Sequence, residues 1–496
     1  MEKYDLCVIG AGPSGYAAAM RAVDFGKRVL LVEKDKLGGA GVHQGALWSK
    51  TWWEISNEAR SLNKRGKLLE SQDTTFSYKN VKKAVEEAVE TRVNLLTHHM
   101  ENINHTLGDG LFTYAQGTAK VTGQNQIQIS FNDGNMQEVE AAFIILATGS
   151  TPRKLPSLPI DEKIVFTSDG MGSLDRFPKS IVIVGAGVIG CEFATIFSNF
   201  GETKVHLIDK GDRILPFEDE DVVKIIEKNL EEKGVLIHRQ SKLKEMRVEN
   251  GRVSYDLTYT DGSQERFNVE YALVSIGRIP QYQDLLADNL KLDLDERGIN
   301  DKSTQTNIPN IYAVGDITAD ISLVNVGELE GRFAVEKIFG KPTQELTYKN
   351  ISTIMFLDPE IAGVGMNEIQ AQKSEKAYKV VSLSYSTIPR AIAMRNTQGF
   401  IKILVTNDDE MKILGMRLVG EHASSAIQAV ALLISQNRGI QELVELIHPH
   451  PSIIEGIQEC GRVLMDRPIL KPQVLRGNIT SKIWENGQYQ DLVRVA

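Results

Sequence analysis

Apolar positions along this chain fall into two alternating patterns. Short, nearly unbroken apolar runs occur at 4–9 (YDLCVI), 29–32 (VLLV), 143–146 (FIIL), 181–184 (IVIV) and 205–208 (VHLI). Runs of that length, rich in β-branched residues, predict strands buried on both faces of a parallel sheet. Between them the spacing changes to that of helices. Stretches 13–25 and 188–200 each follow a strand. Stretch 77–100 repeats apolar residues at Val81, Val85, Ala88, Val89, Val93 and Leu96, and 49–67 is helical too. Residues 117–121 and 126–131 read as short strands, the second closing on the turn Asn132-Asp133-Gly134. Alternation of strand and helix predicts an α/β architecture. From about 348 the pattern shifts to strands at 353–356, 399–406 and 410–420 with helices between, an α+β domain. The tail, 471–496, is mixed polar and apolar, with Trp484 and Leu492, and is expected either to pack on a neighbour or to trail.

Two of the strand-to-helix junctions carry chemistry. The first reads Gly10-Ala11-Gly12-Pro13-Ser14-Gly15, and its second strand ends in Glu33. This is a dinucleotide fingerprint in its required context. The first glycine makes the turn, the second lets a pyrophosphate approach the backbone, and the third lets helix pack on strand. The helix N-terminus favours phosphate, and the acid meets ribose hydroxyls. The pattern repeats as Gly185-Ala186-Gly187-Val188-Ile189-Gly190, with Asp209 closing the next strand. Two fingerprints in one chain imply two dinucleotides and electron relay between them. Asp209 would repel a 2′-phosphate, which favours NAD(H); Lys210 and Arg213 nearby keep NADP(H) open.

Composition narrows the class. A length of 496 residues predicts about three domains. The net charge of -9 argues against a nucleic-acid surface. Cys7, Cys191 and Cys460 have neither redox nor metal-ligand spacing, so no disulfide framework and no metal site are expected. The chain runs straight into a strand and has no membrane-length apolar run, so a cytoplasmic protein is expected.

The fingerprints, the Gly38-Gly39…Ser49-Lys50 frame, Ala147-Thr148-Gly149, Gly315-Asp316 and His448-Pro449-His450-Pro451-Ser452-Ile453-Ile454-Glu455 together resemble the pyridine nucleotide-disulfide oxidoreductases, of the dihydrolipoamide dehydrogenase and soluble transhydrogenase type. The resemblance implies two Rossmann-like dinucleotide-binding domains plus a C-terminal α+β dimerisation domain. It divides the chain into an FAD-binding domain (1–152 and 276–347), an NAD(P)-binding domain (153–275), an interface domain (348–470) and an extension (471–496). It assigns FAD to Gly10, Gly12, Pro13, Ser14, Gly15, Glu33, Lys34, Gly39, Lys50, Thr118, Ala119, Ala147, Thr148, Gly149, Gly315, Asp316 and Val324. It assigns the nicotinamide nucleotide to Gly185, Gly187, Val188, Ile189, Gly190, Glu192, Asp209 and Gly277. Lys50 and Glu192 would pair beside the flavin. His450 would act as acid/base with Glu455 orienting it, over the partner's flavin in a homodimer.

One departure redirects the function. The family carries two cysteines in the Gly38–Lys50 frame; this chain has Gly41 and Ala46 at those positions. Neither forms a thiolate. Electrons are therefore expected to pass from flavin directly to a second nicotinamide nucleotide or a quinone-like acceptor. Small residues at 41 and 46 are expected to open space beside the flavin. Trp48, Trp52 and Trp53 either wall an acceptor channel or are plain packing. His43 is either a polar group at that channel or a structural histidine. Dihydrolipoyl dehydrogenase activity proper, and a non-catalytic FAD- and NAD-binding protein, are the alternatives.

Overall fold

In the computed structural model, which describes residues 1–69 and 75–492, strand β1 (Glu2–Ile9) lies at the centre of the first sheet. It pairs in parallel with β2 (Val29–Glu33) on one side and β5 (Met136–Leu146) on the other. Both neighbours are needed to satisfy its backbone, because Leu6, Cys7 and Val8 are fully buried. Strand Ile311–Ala313 adds to the outer edge of β5, again parallel.

β3 (Phe112–Val121) begins five residues before the strand expected at 117–121. Its first half pairs parallel with β2, and its second half turns antiparallel to β4 (Gln126–Phe131). The first half, which follows the turn Gly108-Asp109-Gly110, is held by its parallel partner β2.

Helix α1 (Pro13–Asp24) and the helix Val324–Phe339 cover one face of this sheet. They approach closely because Gly327 and Gly331 sit one turn apart. A Cβ at Gly331 would overlap the carbonyl of Ser14, and one at Gly327 its hydroxyl. Leu6, Val8, Leu31 and Ile145 pack there against Ala18, Ala22 and Ala334. On the other face Cys7, Ile9, Leu30 and Ile144 pack with Ile127, Ile129 and Ile317.

A short helix α2 (Gly39–Val42) leads into α3 (Ala46–Leu69), and α4 (Tyr78–Leu107) follows. The hydroxyl of Ser77 caps α4 by accepting from the Asn80 N–H. α4 runs past the expected end at 100 because Met100 and Ile103 prolong its buried stripe. These elements belong to a compact unit of Met1–Phe177, Met246–Val253 and Glu270–Leu346.

A second unit comprises Pro178–Glu245, Ser254–Val269 and Thr347–Ala496. Its nucleotide fold has parallel strands Ser180–Val184, Lys204–Ile208 and Leu236–His238. Helix Val188–Phe200, which follows the first of them, is buried from Gly190 to Phe200.

A seven-stranded sheet completes this unit. From one edge it runs Ser352–Met355, Ile361–Gly365, Ile413–Val419, Phe400–Thr406, Tyr378–Ser384, Ile479–Glu485 and Gln488–Asp491. Buried ion pairs tie the unit's nucleotide fold to this sheet. Lys402, 1 % exposed, reaches Asp219 (2.8 Å), Asp221 (2.7 Å) and Glu368 (2.6 Å). Its ammonium fills the centre of this acidic cluster, so the three carboxylates do not form a vacant cation site. Arg417 donates through Nε to Glu218 at 2.9 Å.

The tail, whose role the sequence left open, supplies the last two strands of that sheet. Residues 479–485 pair with Tyr378–Ser384, which would otherwise be an exposed edge. Trp484 stacks on Tyr378 with centroids 5.5 Å apart. Tyr489 donates to Glu368 at 2.6 Å and lies 3.0 Å from the hydroxyl of Tyr378. Ile479 and Ser481 share one face of their strand and Trp484 lies on the other, packed in a separate cluster, so no single alternating apolar stripe marks the strand in the sequence. Among the described residues no helix is long and apolar enough to cross a membrane.

Trp484 is 9 % exposed and holds the hairpin to the sheet. Trp484→Ala is expected to cost about 3 kcal/mol, measured as a lower urea midpoint for the unit that contains it.

Candidate active site

Both strand-to-helix turns have the same internal chemistry. Gly10 has φ +107, and a Cβ there would overlap the Ala147 carbonyl. Gly15 lies equally close to the carbonyl of Gly10, whereas Gly12 faces open space, with nothing within 4 Å of a would-be Cβ. Glu33 is buried and accepts from the N–H of Ala11 (2.7 Å) and of Asp35 (2.8 Å). Gly185 has φ +106, and Gly187 again faces open space. Asp209 accepts from Ala186 N–H and Gly211 N–H, both at 2.8 Å. Each acid thus clasps its own glycine turn, and each carboxylate oxygen keeps a lone pair for a ribose hydroxyl. Open space over the second glycine, at a helix N-terminus without a side-chain cap, fits a pyrophosphate in both places.

Around the first turn, Lys34 Nζ donates to Gln281 Oε1 at 2.8 Å, and Thr148 Oγ1 donates to the Gln281 carbonyl. Thr118 and Ala119 lie in the antiparallel half of β3, Ala119 buried. Gly149 and Gly277 have φ +68 and +103. Val324 opens its helix with 41 % of its surface exposed. Glu330, which sequence reasoning missed, is 1 % exposed and accepts from the N–H of Gly315 at 2.7 Å. Its one sequence signal is an acid on the apolar side of an amphipathic helix.

The Gly38–Lys50 segment does not open as expected. Gly38 has φ +91, and α2 packs directly on the first fingerprint. A Cβ on Gly41 would overlap the ring of Pro13, and one on Gly39 would lie 3.2 Å from the Cα of Gly12. Position 41 is therefore closely packed rather than open, which a linear sequence cannot report. Ser49 donates to the Gly45 carbonyl at 2.6 Å, and Lys50 Nζ to Ser49 Oγ at 3.3 Å.

His43 Nε2 lies 2.9 Å from the Leu37 carbonyl, and the ring lines a cavity of about 610 Å³ against α4. Trp52 and Trp53 are 5 % and 7 % exposed, so they are core. Trp48, half-buried, lies 5.9 Å from Trp52, which in turn meets Tyr78 at 5.4 Å.

In the second unit Glu192 is buried and accepts from Phe356 N–H at 3.1 Å. Val188, Ile189 and Gly190 form the first turn of the same helix. His450 and Glu455 meet: Nδ1 lies 2.8 Å from Oε1, while Ser452 N–H donates to Oε2 at 2.8 Å. Burial pushes the Glu455 carboxyl up, but these two hydrogen bonds outweigh it and hold the carboxyl below its ordinary range. His450 is 67 % exposed, beside the fully exposed Ile447. The three cysteines are unpaired and fully buried. Burial pushes the Cys7 thiol up to about 12 and raises those of Cys191 and Cys460 as well. None is a thiolate at neutral pH.

Comparison with known proteins follows this geometry. Residues 4–331 match the family model for pyridine nucleotide-disulphide oxidoreductase, and residues 351–460 match that family's dimerisation domain. The chain belongs to the pyridine nucleotide-disulphide oxidoreductases. Its architecture is that family's: two Rossmann-like folds and a C-terminal α+β dimerisation domain, an enzyme scaffold for FAD and NAD(P)H. The dimerisation domain supports a homodimer.

Among its relatives, dihydrolipoyl dehydrogenase of Bacillus subtilis is 30 % identical over 470 residues, covering 94 % of this chain and 97 % of that one. Dihydrolipoyl dehydrogenase 3 of Pseudomonas putida is 30 % identical, with 93 % and 98 % covered. Of solved structures, the HOCl-induced flavoprotein disulfide reductase RclA of Escherichia coli, as its Cu(II) complex, superposes with a TM-score of 0.82 at 25 % identity, covering 94 % of this chain and all of that one. LpdA from Mycobacterium tuberculosis shares the fold, with a TM-score of 0.84 at 24 % identity and the same coverage.

Two predictions follow from the second fold. Asp209→Ser, which removes the carboxylate at the end of the second strand, is expected to raise kcat/KM for NADPH relative to NADH by about tenfold, read from steady-state rates with both nucleotides. Behind Asp209, buried His206 bonds Tyr255 at 2.8 Å and lies 3.3 Å from His238, which in turn meets Tyr259. Burial, then His238 and Lys204, lowers His206 from 6.5 to about 4. The folded state resists protonating it, so stability is fully present above about 6.5 and is lost as pH falls toward about 4. A thermal-midpoint series over that range should show the fall, and His206→Gln, which cannot titrate, should flatten it.

Proposed function

We propose that this protein is an FAD-dependent NAD(P)H oxidoreductase that delivers electrons directly to a non-disulfide acceptor, either a second nicotinamide nucleotide or a quinone-like molecule. The observation that carries this reading is Gly41. It stands where the family has a cysteine, and its Cα is packed on Pro13 so closely that a side chain would overlap the ring. Ala46 stands at the second cysteine position. The chain's own thiols are buried and raised in pKa, which supports the same conclusion.

FAD, when bound, supplies hydride acceptance from NAD(P)H and onward transfer of the electron pair. The protein's residues supply the rest. Gly12 and Gly187 leave room for the two pyrophosphates, and Glu33 and Asp209 hold the turns and offer ribose acceptors. Lys50 and Glu192 are the charged groups assigned beside the flavin and nicotinamide. His450, with Glu455 fixing its Nδ1, keeps Nε2 to exchange a proton with an acceptor as it is reduced. Three unpaired cysteines also agree with a reducing, cytoplasmic setting.

A second reading, dihydrolipoyl dehydrogenase, is favoured by the names of relatives aligned over nearly the whole chain. Steady-state NADH oxidation with thio-NAD, a quinone, ferricyanide and lipoamide separates the two. Turnover with thio-NAD or the quinone and none with lipoamide is expected. Rapid lipoamide turnover would sink the direct-transfer reading, and bleaching that no acceptor reverses would mark a non-catalytic binder. His450→Gln is expected to lower quinone turnover by about 10²-fold while leaving flavin bleaching by NADH intact.

A further inference from the structure

Two three-residue strands, Ser150–Pro152 and Arg278–Pro280, pair antiparallel within the first unit. Arg278 directs its guanidinium fork at the first of them. Nη2 donates to the Ser150 carbonyl and Nε to the Ser150 hydroxyl oxygen, both at 2.8 Å, while Nη1 reaches Asp169 at 3.2 Å. A serine hydroxyl has one proton to give. With Arg278 Nε–H already pointing at its oxygen, Ser150 must aim that proton elsewhere. It goes to Asp316 Oδ2, at 2.7 Å. A guanidinium keeps its protons across the working pH range, so the chain Arg278 to Ser150 to Asp316 runs in one direction only. Asp316 is constrained from its other side as well. Gly315, at φ +74, donates to Glu330, and a Cβ there would overlap the Ser14 hydroxyl.

We propose that Ser150, oriented by Arg278, is a positioning residue for FAD. It fills Oδ2 of Asp316 and thereby reserves Oδ1 as the acceptor for a hydroxyl of the FAD sugar-alcohol chain. Without the serine proton, the carboxylate is free to rotate and must be reordered at each binding event. The inference rests on the reading of Asp316 as an FAD contact.

Titration of apoprotein with FAD, followed by quenching of flavin fluorescence, tests it. Ser150→Ala is expected to weaken FAD binding about tenfold, the worth of one hydrogen bond to a charged group, and Ser150→Thr, which keeps the hydroxyl, to restore most of it. Arg278→Met is expected to weaken FAD comparably. In an Asp316→Ala background, Ser150→Ala should add nothing, since it acts only through that carboxylate. Thermal midpoints of the apoproteins check that each variant folds. If Asp316→Ala weakens FAD but Ser150→Ala does not, or if the two losses simply add, Ser150 has no positioning role while the reading of Asp316 stands. If Asp316→Ala leaves FAD affinity unchanged, that reading itself fails.

Discussion

A carboxylate at the end of the second strand, accepting two backbone N–H groups, is the constraint on which both nucleotide folds depend. Glu33 bonds Ala11 and Asp35, and Asp209 bonds Ala186 and Gly211. In each case one bond reaches into the glycine turn and the other fixes the residue two positions on. A glycine turn lacks side chains to hold its shape, and fixing its freely rotating backbone costs conformational entropy. The charge-assisted bonds offset that cost and aim the helix N-terminus at the place a phosphate would occupy. Glycines that give close approach and an acid that gives rigidity are therefore one device, used twice.

The same logic of tight approach accounts for the segment that sets this chain apart. In the Gly38–Lys50 stretch the short helix lies close on the first fingerprint, with Gly39 against Gly12 and Gly41 against Pro13. Protein interiors close voids where backbone can shift. The result is a scaffold that retains the nucleotide cradles and the His450–Glu455 pair yet offers no side chain at position 41. His450 combines exposure with a carboxylate partner at Nδ1.

The second unit shows how an ion-pair network can serve architecture. Lys402, Asp219, Asp221 and Glu368 bring a helix of the nucleotide fold to the antiparallel sheet, and Tyr489 of the terminal hairpin adds a bond to Glu368. Such buried charges are stabilising only while every member is paired. The terminal hairpin belongs to that set, and it covers an edge strand as well.

Much of this was legible before any coordinates. The fingerprints, their acids and the His-Pro-Ser-Glu segment are local patterns, and local backbone sterics with hydrophobic period suffice to place them. The His450–Glu455 bond spans five residues and needed only a short turn. Other features were not legible, because they exist only between segments distant in sequence. The early half of β3 requires β2 beside it. The tail becomes strand by covering the outer edge of Tyr378–Ser384, whose other edge is paired with Phe400–Thr406. Ser150 lies 128 residues from Arg278 and 166 from Asp316 yet hydrogen-bonds both. Whether a glycine makes a void or a contact at position 41 depended on Pro13, 28 residues earlier in the chain. Sequence by itself determined the two nucleotide folds and the dinucleotide chemistry they serve. Tertiary packing alone decided which polar groups face each other, since that is a property of distance in space.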